Sequence, residues 1–411
     1  MATPKCVMVT AIERGVAHRW KVLGVSVAAN ASFSAAAMGI PTTAVWLRSG
    51  YHLSPPQLGL VLGSMGLGVA LSELPWGMLT DRWGDRPVLL TGLLGTAAML
   101  VAMAWRVAPS AAGVPAFGWL VLTMCLVGLL GGSLNGSSGR AVMAWFRDGE
   151  RGLAMSIRQT AVPLGGGLGA LVLPWLAASQ GFAAVYGVLA AMAGVSAAFA
   201  WRWLREPMLL GATSAFPSTP QAGPLRDMRI WRVVLGIGIL CIPQFALLTF
   251  ATVFLHDIAH LGIGAISGTM AVVQLGAIVI RVWGGRFTDR RGNRRAYLRG
   301  STLIAAMSFV ALAGGMRMSL DATALEMMIA VAGISVTAWH GVAYTELAVL
   351  AGLSRAGTAL GMANTVVYAG LFLTPLAIPH LLAAGSWASV WFAAGLCALI
   401  AYPLFPRPLR I

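Results

Sequence analysis

Apolar residues run along this chain in twelve long blocks, separated by short hinges that hold most of the charge. The blocks cover approximately residues 22–46, 56–79, 88–107, 116–145, 152–177, 182–204, 231–256, 264–286, 297–316, 323–350, 356–383 and 387–404. A helix needs roughly 20 apolar residues to cross a bilayer, so each block is predicted as a membrane-spanning helix. The fourth and tenth are long enough to tilt or to include interfacial ends. Lys5, Arg14, Arg19 and Lys21 precede the first block, as basic residues precede a secretory leader. That block continues to about residue 46, well past the ~7–15 residues of a leader's apolar core, so a retained first helix is expected.

One segment interrupts the rhythm. Arg205–Arg232 contains Gly211, Phe216-Pro217, Pro220 and Gly223-Pro224, all turn signals, and divides six blocks from six. The expected organisation is a six-helix bundle over 1–204, a cytoplasmic linker over 205–230 and a second six-helix bundle over 231–411.

Composition agrees with a lipid environment. Hydrophobic residues make up 58% and charged residues 10% of the chain, and mean hydropathy is +0.79. A soluble domain carries about 25% charged residues. The 50 glycines suit closely approaching membrane helices. The net charge of +15 raises nucleic acid as a partner, but the arginines lie in short hinges without fingers, an aromatic platform or a basic helix, so no nucleic acid is expected. Cys6, Cys125, Cys241 and Cys397 are scattered, with no C-x-x-C and no disulfide framework.

Placement of the basic residues sets the orientation. With both termini inside, the cytoplasmic segments hold 22 of the 28 lysines and arginines, and the outer loops hold three, Arg48, Arg106 and Arg317. This bias predicts a multi-pass inner-membrane protein with both termini in the cytoplasm. The other three, Arg140, Arg158 and Arg281, fall within helices.

The hinges also repeat. Gly77-Met-Leu-Thr80-Asp81-Arg82-Trp-Gly84-Asp-Arg86 and Gly285-Arg-Phe-Thr288-Asp289-Arg290-Arg-Gly292-Asn-Arg294 share the pattern G-x-x-T-D-R-x-G-x-R at half-chain spacing, the mark of a duplication. This pattern resembles the loop signature of the major facilitator superfamily, which joins helices 2 and 3 and, more weakly, helices 8 and 9. The resemblance covers essentially the whole chain. It implies an all-α integral membrane fold of twelve helices in two pseudo-symmetric six-helix bundles, rocking to give alternating access. It also implies that Asp81 meets a helix N-terminus of the other half, where exposed N–H groups and the positive dipole end favour a carboxylate. Asp81 and Arg82 would thereby hold the outward-open form, with Arg86 and the other signature arginines tying helix ends together. Gly77 and Gly285 would allow close helix approach, and Gly84 and Gly292 the positive φ of a tight hinge. Asp289 and Arg290 are the second copy's charges.

Aligning the halves matches Glu73 with Arg281 and Arg140 with Glu346, so equivalent positions carry opposite charge. All four are expected in the gate, with Arg140 paired to Asp81 or Glu73 and Glu346 paired to Arg286 or Arg290. An ion-coupling role for Glu346 or Glu73 is the alternative.

In this fold the first, fourth, seventh and tenth helices line the substrate cavity, assisted by the second, fifth, eighth and eleventh. Arg158 opens Arg158-Gln159-Thr160-Ala-Val-Pro163-Leu-Gly165-Gly166-Gly167 on the fifth span, roughly 9 Å inside the helix start. A guanidinium at that depth is costly and is usually functional, and its fork can hold a carboxylate by two parallel hydrogen bonds. The alternative for Arg158 is snorkelling or pairing with a signature carboxylate. The same run resembles bacterial porters of the cyanate and nitroimidazole type. His340, near the middle of the tenth span, can change charge near neutral pH and is a candidate for proton or substrate. Asn30, Asn135, Gln244, Gln274, Tyr344, Asn364 and Tyr368 complete the candidate cavity, alongside Gln159. Such a lining suits a small organic anion better than a lipophilic cation. Each residue alone is more often interhelical glue than a ligand contact.

His256 and His260 could share a helix face, but the zincin pattern needs Glu where Asp257 stands and no third ligand appears, so no metal is expected. The glycines at 165–169 lie inside a span with no preceding strand and are read as helix packing, not a nucleotide fingerprint. No Walker loop is present, and Val162-Pro163-Leu-Gly165-Gly166 departs in spacing from the family's antiporter signature. No enzyme constellation is seen and no cofactor is expected. The expected function is secondary-active transport of a carboxylate-like anion with protons or another coupling ion, by a monomer in membrane lipid. Drug or metabolite efflux and a non-transporting membrane sensor are the alternatives.

Overall fold

The computed structural model describes residues 4–110, 113–205 and 223–407. Linker residues 206–222, with Gly211, Phe216, Pro217 and Pro220, lie outside the described residues. So does the Cys6 side chain. Twelve helical spans follow one another: α1 (Ala17–Thr43), α2 (Pro56–Trp83), α3 (Asp85–Val107), α4 (Phe117–Trp145), α5 (Arg151–Ser179), α6 (Gly181–Trp203), α7 (Met228–Asp257), α8 (Gly264–Arg291), α9 (Arg294–Arg317), α10 (Ala322–Ala351), α11 (Leu353–Ala384) and α12 (Trp387–Leu404). They form two six-helix bundles. In the first, α1 packs on α5 and α3 packs on α6; in the second, α7 packs on α11 and α9 packs on α12. The bundles meet along two seams, α2 against α11 and α5 against α8.

The sorting of side chains reflects lipid outside and helix contact inside. Leu71, Leu171, Val279 and Met307 are exposed, whereas Leu89, Leu93, Phe254 and Phe309 are fully buried. Exposed tryptophans cluster near both ends of the spans. Trp83, Trp201 and Trp283 lie towards the end carrying the repeated loops, and Trp105, Trp119 and Trp175 towards the opposite end, the interfacial placement that amphipathic indole prefers.

Three spans are broken near mid-length. The α-helix of α4 is interrupted at Gly132, that of α5 at Thr160 and that of α10 over Val336–Trp339. The break in α5 has a covalent cause. Pro163 carries no N–H, so the carbonyl of Gln159, four residues earlier, loses its intrahelical donor. Irregular backbone at this depth persists only where other groups take up the freed carbonyls. Helix α7 ends at Asp257, and His260 lies beyond it with φ 52°. The two histidines therefore do not share a helix face as their spacing suggested. His256 Nδ1 instead pairs with Asp257 at 2.7 Å. Among the described residues no cluster suited to a metal ion occurs.

Candidate functional site

The repeated loops form one closed end. The Asp81 carboxylate accepts hydrogen bonds from the backbone N–H of Gly357 at 2.9 Å and of Thr358 at 2.7 Å. These are free donors at the start of α11, in the other half. Asp289 does the same to α5, accepting from Gly152 N at 3.0 Å and Leu153 N at 2.7 Å. Each carboxylate thus binds two orphan N–H groups at the positive end of a helix dipole. The helices approach so closely that a Cβ on Gly77 would stand 2.4 Å from the Gly357 carbonyl oxygen, and one on Gly285 2.4 Å from that of Gly152. Gly84 and Gly292 turn the hinges with φ of 91° and 62°.

The surrounding charges pair only partly as their alignment suggested. Arg140 lies 3.6 Å from Asp81 but makes its closer contact to Asp85 at 2.9 Å, and donates to the Leu353 carbonyl across the seam at 3.2 Å. Glu346 does not pair with Arg286 or Arg290. It meets Arg295 at 2.7 Å and Arg294 at 3.8 Å, because these two residues open α9 directly beside the end of α10. Arg286 and Arg290 instead line a surface groove with Trp283 and Phe287. Arg86 ties α3 to α6, donating to the Trp201 carbonyl at 2.9 Å with its guanidinium over the Trp201 ring. Arg82 is exposed at the helix end.

Glu73 and Arg281, expected in this gate, lie deeper. About one helical turn inward from Gly77 and Gly285, each faces the opposite half without reaching a signature charge. Glu73 is 0% exposed and accepts from Asn135 Nδ2 at 2.5 Å and from Asn364 Nδ2 at 3.3 Å. Asn364 Oδ1 in turn accepts from the Tyr344 hydroxyl at 2.7 Å. Arg281 donates from Nη1 to the Gln159 carbonyl at 3.0 Å and from Nε to the Thr337 carbonyl at 3.2 Å. Those are carbonyls at the breaks in α5 and α10, so the irregular backbone builds a seat for a cation.

Arg158 is buried on the same level. Its Nε donates to Ser138 Oγ at 3.0 Å, and Nη2 donates to the Asn135 carbonyl at 2.7 Å and to Asn30 Oδ1 at 3.4 Å. Asn30 is itself fixed by donating to the Ser26 carbonyl and to Ser138 Oγ, both at 2.8 Å. Among the described residues the remaining nitrogen, Nη1, meets only the Met155 sulfur at 3.7 Å. Among the described residues neither Arg158 nor Arg281 forms an ion pair. Tyr344 lies within Coulombic range of both. Among the described residues this level therefore holds two guanidinium groups, one from each half, and one carboxylate, that of Glu73.

His340 is half-buried, stacked on Trp339 with ring centroids 3.9 Å apart, and its Nδ1 lies 3.1 Å from the Thr337 carbonyl. Gln244 is buried with Oε1 unpartnered, as is Ser156 Oγ. Gln274 is exposed on α8 and does not join the cluster. Above the polar level, away from the closed end, a cavity of about 450 Å³ lies between α1, α2, α7 and α11. Its walls include Met38, Ile40, Met65, Thr249 and Phe372, with Tyr368 among them. The outer half of α5, Ala161–Ser179, packs on α1 and α6, so its seam with α8 is tight only at the signature end. Sequence position gives a residue's depth but not which broken helix will face it, and Arg281's role in the interior was missed for that reason. The available signal was Pro163, which frees the carbonyl that Arg281 takes.

Twelve membrane spans, two pseudo-symmetric bundles, a shut end and a buried polar level beneath a cavity define a multi-pass membrane transporter. Residues 25–375 match the family model described as Major Facilitator Superfamily, and the chain belongs to that superfamily. It is 31% identical over 402 residues to an uncharacterized MFS-type transporter of Mycobacterium tuberculosis, covering 95% of this chain and 86% of that protein. It is 23% identical over 369 residues to a probable sulfoacetate transporter of Cupriavidus necator, covering 84% and 83%. Among solved structures it superposes on the proton:xylose symporter XylE with a TM-score of 0.77 at 16% identity, covering 95% of each chain. That likeness concerns the fold.

Proposed function

We propose that this protein is a secondary-active transporter that carries a small organic anion by alternating access, coupled to protons. The observation that carries the reading is the pair of buried arginines, Arg158 and Arg281, one in each half and neither in an ion pair with a carboxylate among the described residues. An uncompensated guanidinium in a membrane interior is costly, and in such sites it marks a ligand or ion pathway. The Nη1 edge of Arg158, left with a thioether, is the free side of a fork that fits a carboxylate or sulfonate. The relative named for sulfoacetate, which bears both groups, is consistent with this class. The distribution of lysine and arginine supports an inner-membrane location with the repeated loops and both termini on the cytoplasmic face. The shut end then corresponds to an outward-facing arrangement.

The test is flux. Purified protein in liposomes is screened with labelled carboxylates and sulfonates, with and without a pH gradient. Uptake of one class, accelerated by an inward proton gradient and lost in Arg158→Gln, is the expected result. Absence of flux for every anion, with binding intact, would favour a sensor. The apolar walls of the 450 Å³ cavity support a second reading, efflux of a lipophilic compound. It predicts that lipophilic dyes compete for the protein and that Arg158→Gln leaves their transport unchanged.

A further inference from the structure

We infer that Glu73 is the residue that binds and releases the coupled proton. This rests on the proposed transport reading and replaces His340 and Glu346 as the candidates for that role.

Glu73 is fully buried, its two oxygens meet only the amide nitrogens of Asn135 and Asn364, and no cation pairs with it among the described residues. A desolvated carboxylate lacking a paired cation is unfavourable, and two amide N–H donors offset only part of that cost. Glu346, by contrast, is already paired with Arg295 and Arg294 at the closed end. His340 faces Arg281 across the Thr337 carbonyl that both contact, a neighbour that opposes a second positive charge.

The titratable and charged groups around Glu73 come from four helices. Arg158 on α5, Tyr344 on α10 and Tyr368 on α11 lie within Coulombic range. On α4, Arg140 is turned towards the gate, where Asp85 and Asp81 occupy it. Arg158 is linked to Glu73 through a single residue, since Asn135 accepts from Arg158 with its carbonyl and donates to Glu73 with its side chain.

This places the proton and the anion on one electrostatic balance. With Glu73 ionised, the interior of Arg158, Arg281 and Glu73 carries one net positive charge; with Glu73 protonated, it carries two. An organic anion is therefore bound more strongly when Glu73 holds a proton, and by linkage the proton is bound more strongly when the anion is present. The proton enters from water in the cavity bordered by Tyr368, adds to a Glu73 carboxylate oxygen, and leaves to water at the other side once the α2–α11 seam parts. The hydrogen bond from Asn364 to Glu73 crosses that seam, so the protonation state acts on the contact that must break.

The experiment uses full-length protein in liposomes with labelled sulfoacetate and labelled succinate as probes. The wild type is expected to accumulate a probe above equilibrium under an inward proton gradient, with a half-saturating concentration that rises about 5–150-fold as pH rises, the usual span of a coupling effect. Glu73→Gln is expected to lose accumulation and the pH dependence while probe exchange across the membrane persists. Accumulation by Glu73→Gln with the wild-type pH profile overturns the assignment. If Glu73→Gln does not insert, Glu73→Asp reads the same point: accumulation is kept with a displaced pH midpoint, and an unmoved midpoint overturns the assignment. If the wild type moves neither probe, the anion reading fails separately. Glu73 is then judged by infrared spectroscopy, where a protonated-carboxyl band absent from Glu73→Gln supports it and an unchanged spectrum overturns it.

Discussion

Replacing Asp81 with asparagine should unlatch the closed end, and the geometry allows the effect to be sized. The carboxylate receives N–H bonds from Gly357 and Thr358 at 2.9 and 2.7 Å. A hydrogen bond to a charged group contributes about 1.5–3 kcal/mol, and a carboxylate at a helix N-terminus adds about 0.3–1 kcal/mol. Asparagine keeps one acceptor oxygen and turns an NH₂ towards the second N–H, so it loses one of the two bonds and the charge. Arg140 is not stranded, because Asp85 still holds it at 2.9 Å. The expected loss is about 2–4 kcal/mol. At about 1.4 kcal/mol per decade, the population with this end open rises by one and a half to three decades.

Ser156 is the place to read it. It is 0% exposed and wedged between Gly285 and Gly341, on the α5–α8 seam rather than the α2–α11 seam where Asp81 acts. Local fraying around Asp81 would leave it covered, whereas a rigid parting of the halves would uncover it. With Cys6, Cys125, Cys241 and Cys397 replaced by serine, the Ser156→Cys protein is labelled with a small membrane-permeant maleimide, with and without Asp81→Asn. Labelling tracks the open population even when that population is minor, and it should accelerate by at least one order of magnitude. A change of less than twofold would refute the latch.

Asp289→Asn should accelerate the same labelling to a similar degree, since its carboxylate makes the matching pair of bonds to Gly152 and Leu153. Gly77→Ala places a methyl 2.4 Å from a carbonyl oxygen on the facing backbone. Overpacking of this kind costs about 1–3 kcal/mol, so labelling of Ser156→Cys should rise about tenfold. Arg158→Lys keeps the charge but cannot hold Ser138, Asn135 and an anion together, and should weaken anion uptake at least tenfold in KM, measured in the liposome assay. Glu346→Gln leaves Arg295 without its counter-charge, while Arg294 keeps Asp148 at 3.3 Å. It should lower the thermal midpoint in detergent while leaving anion selectivity unchanged.

The sequence disclosed most about features that lipid or duplication imposes. A bilayer demands long apolar runs, so all twelve spans were visible, with ends displaced by a few residues where charged caps extend the helix. The seventh was expected at 231–256 and runs Met228–Asp257. Asp81 and Asp289 stood out because they repeat, and their helix-capping geometry follows from what a carboxylate does near free N–H groups. Interior partners were less visible. Glu73 and Arg281 lie close in sequence to the signature, which placed them in the gate, but about one turn along a helix carries a side chain from the shut end into the polar level. Glu346 was assigned Arg286 and Arg290 near the end of α8, whereas the nearest cations in space, Arg295 and Arg294, begin α9. The seat of Arg281 depends on carbonyls freed by helix breaks, a backbone property that side-chain patterns report only indirectly.

The two seams are alike where they shut and unlike where a ligand would act. Gly77 against Gly357 and Gly285 against Gly152 give the same close approach, and the two aspartates cap equivalent helix starts, α11 and α5, so on the proposed reading the halves part at both seams together. Inside, one seam is crossed by a carboxylate, Glu73 to Asn364, and the other by a guanidinium, Arg281 to the Gln159 carbonyl. A ligand shifts a two-state equilibrium only through a difference in its affinity for the two states. On the proposed reading a proton alters the first crossing and an anion the second. An anion held by both Arg158 and Arg281 would join the halves directly, taking over from the Gln159 carbonyl as the α5–α8 seam parts. Charge reversal at equivalent positions of the repeat is then what allows a symmetric gate to answer to two different ligands.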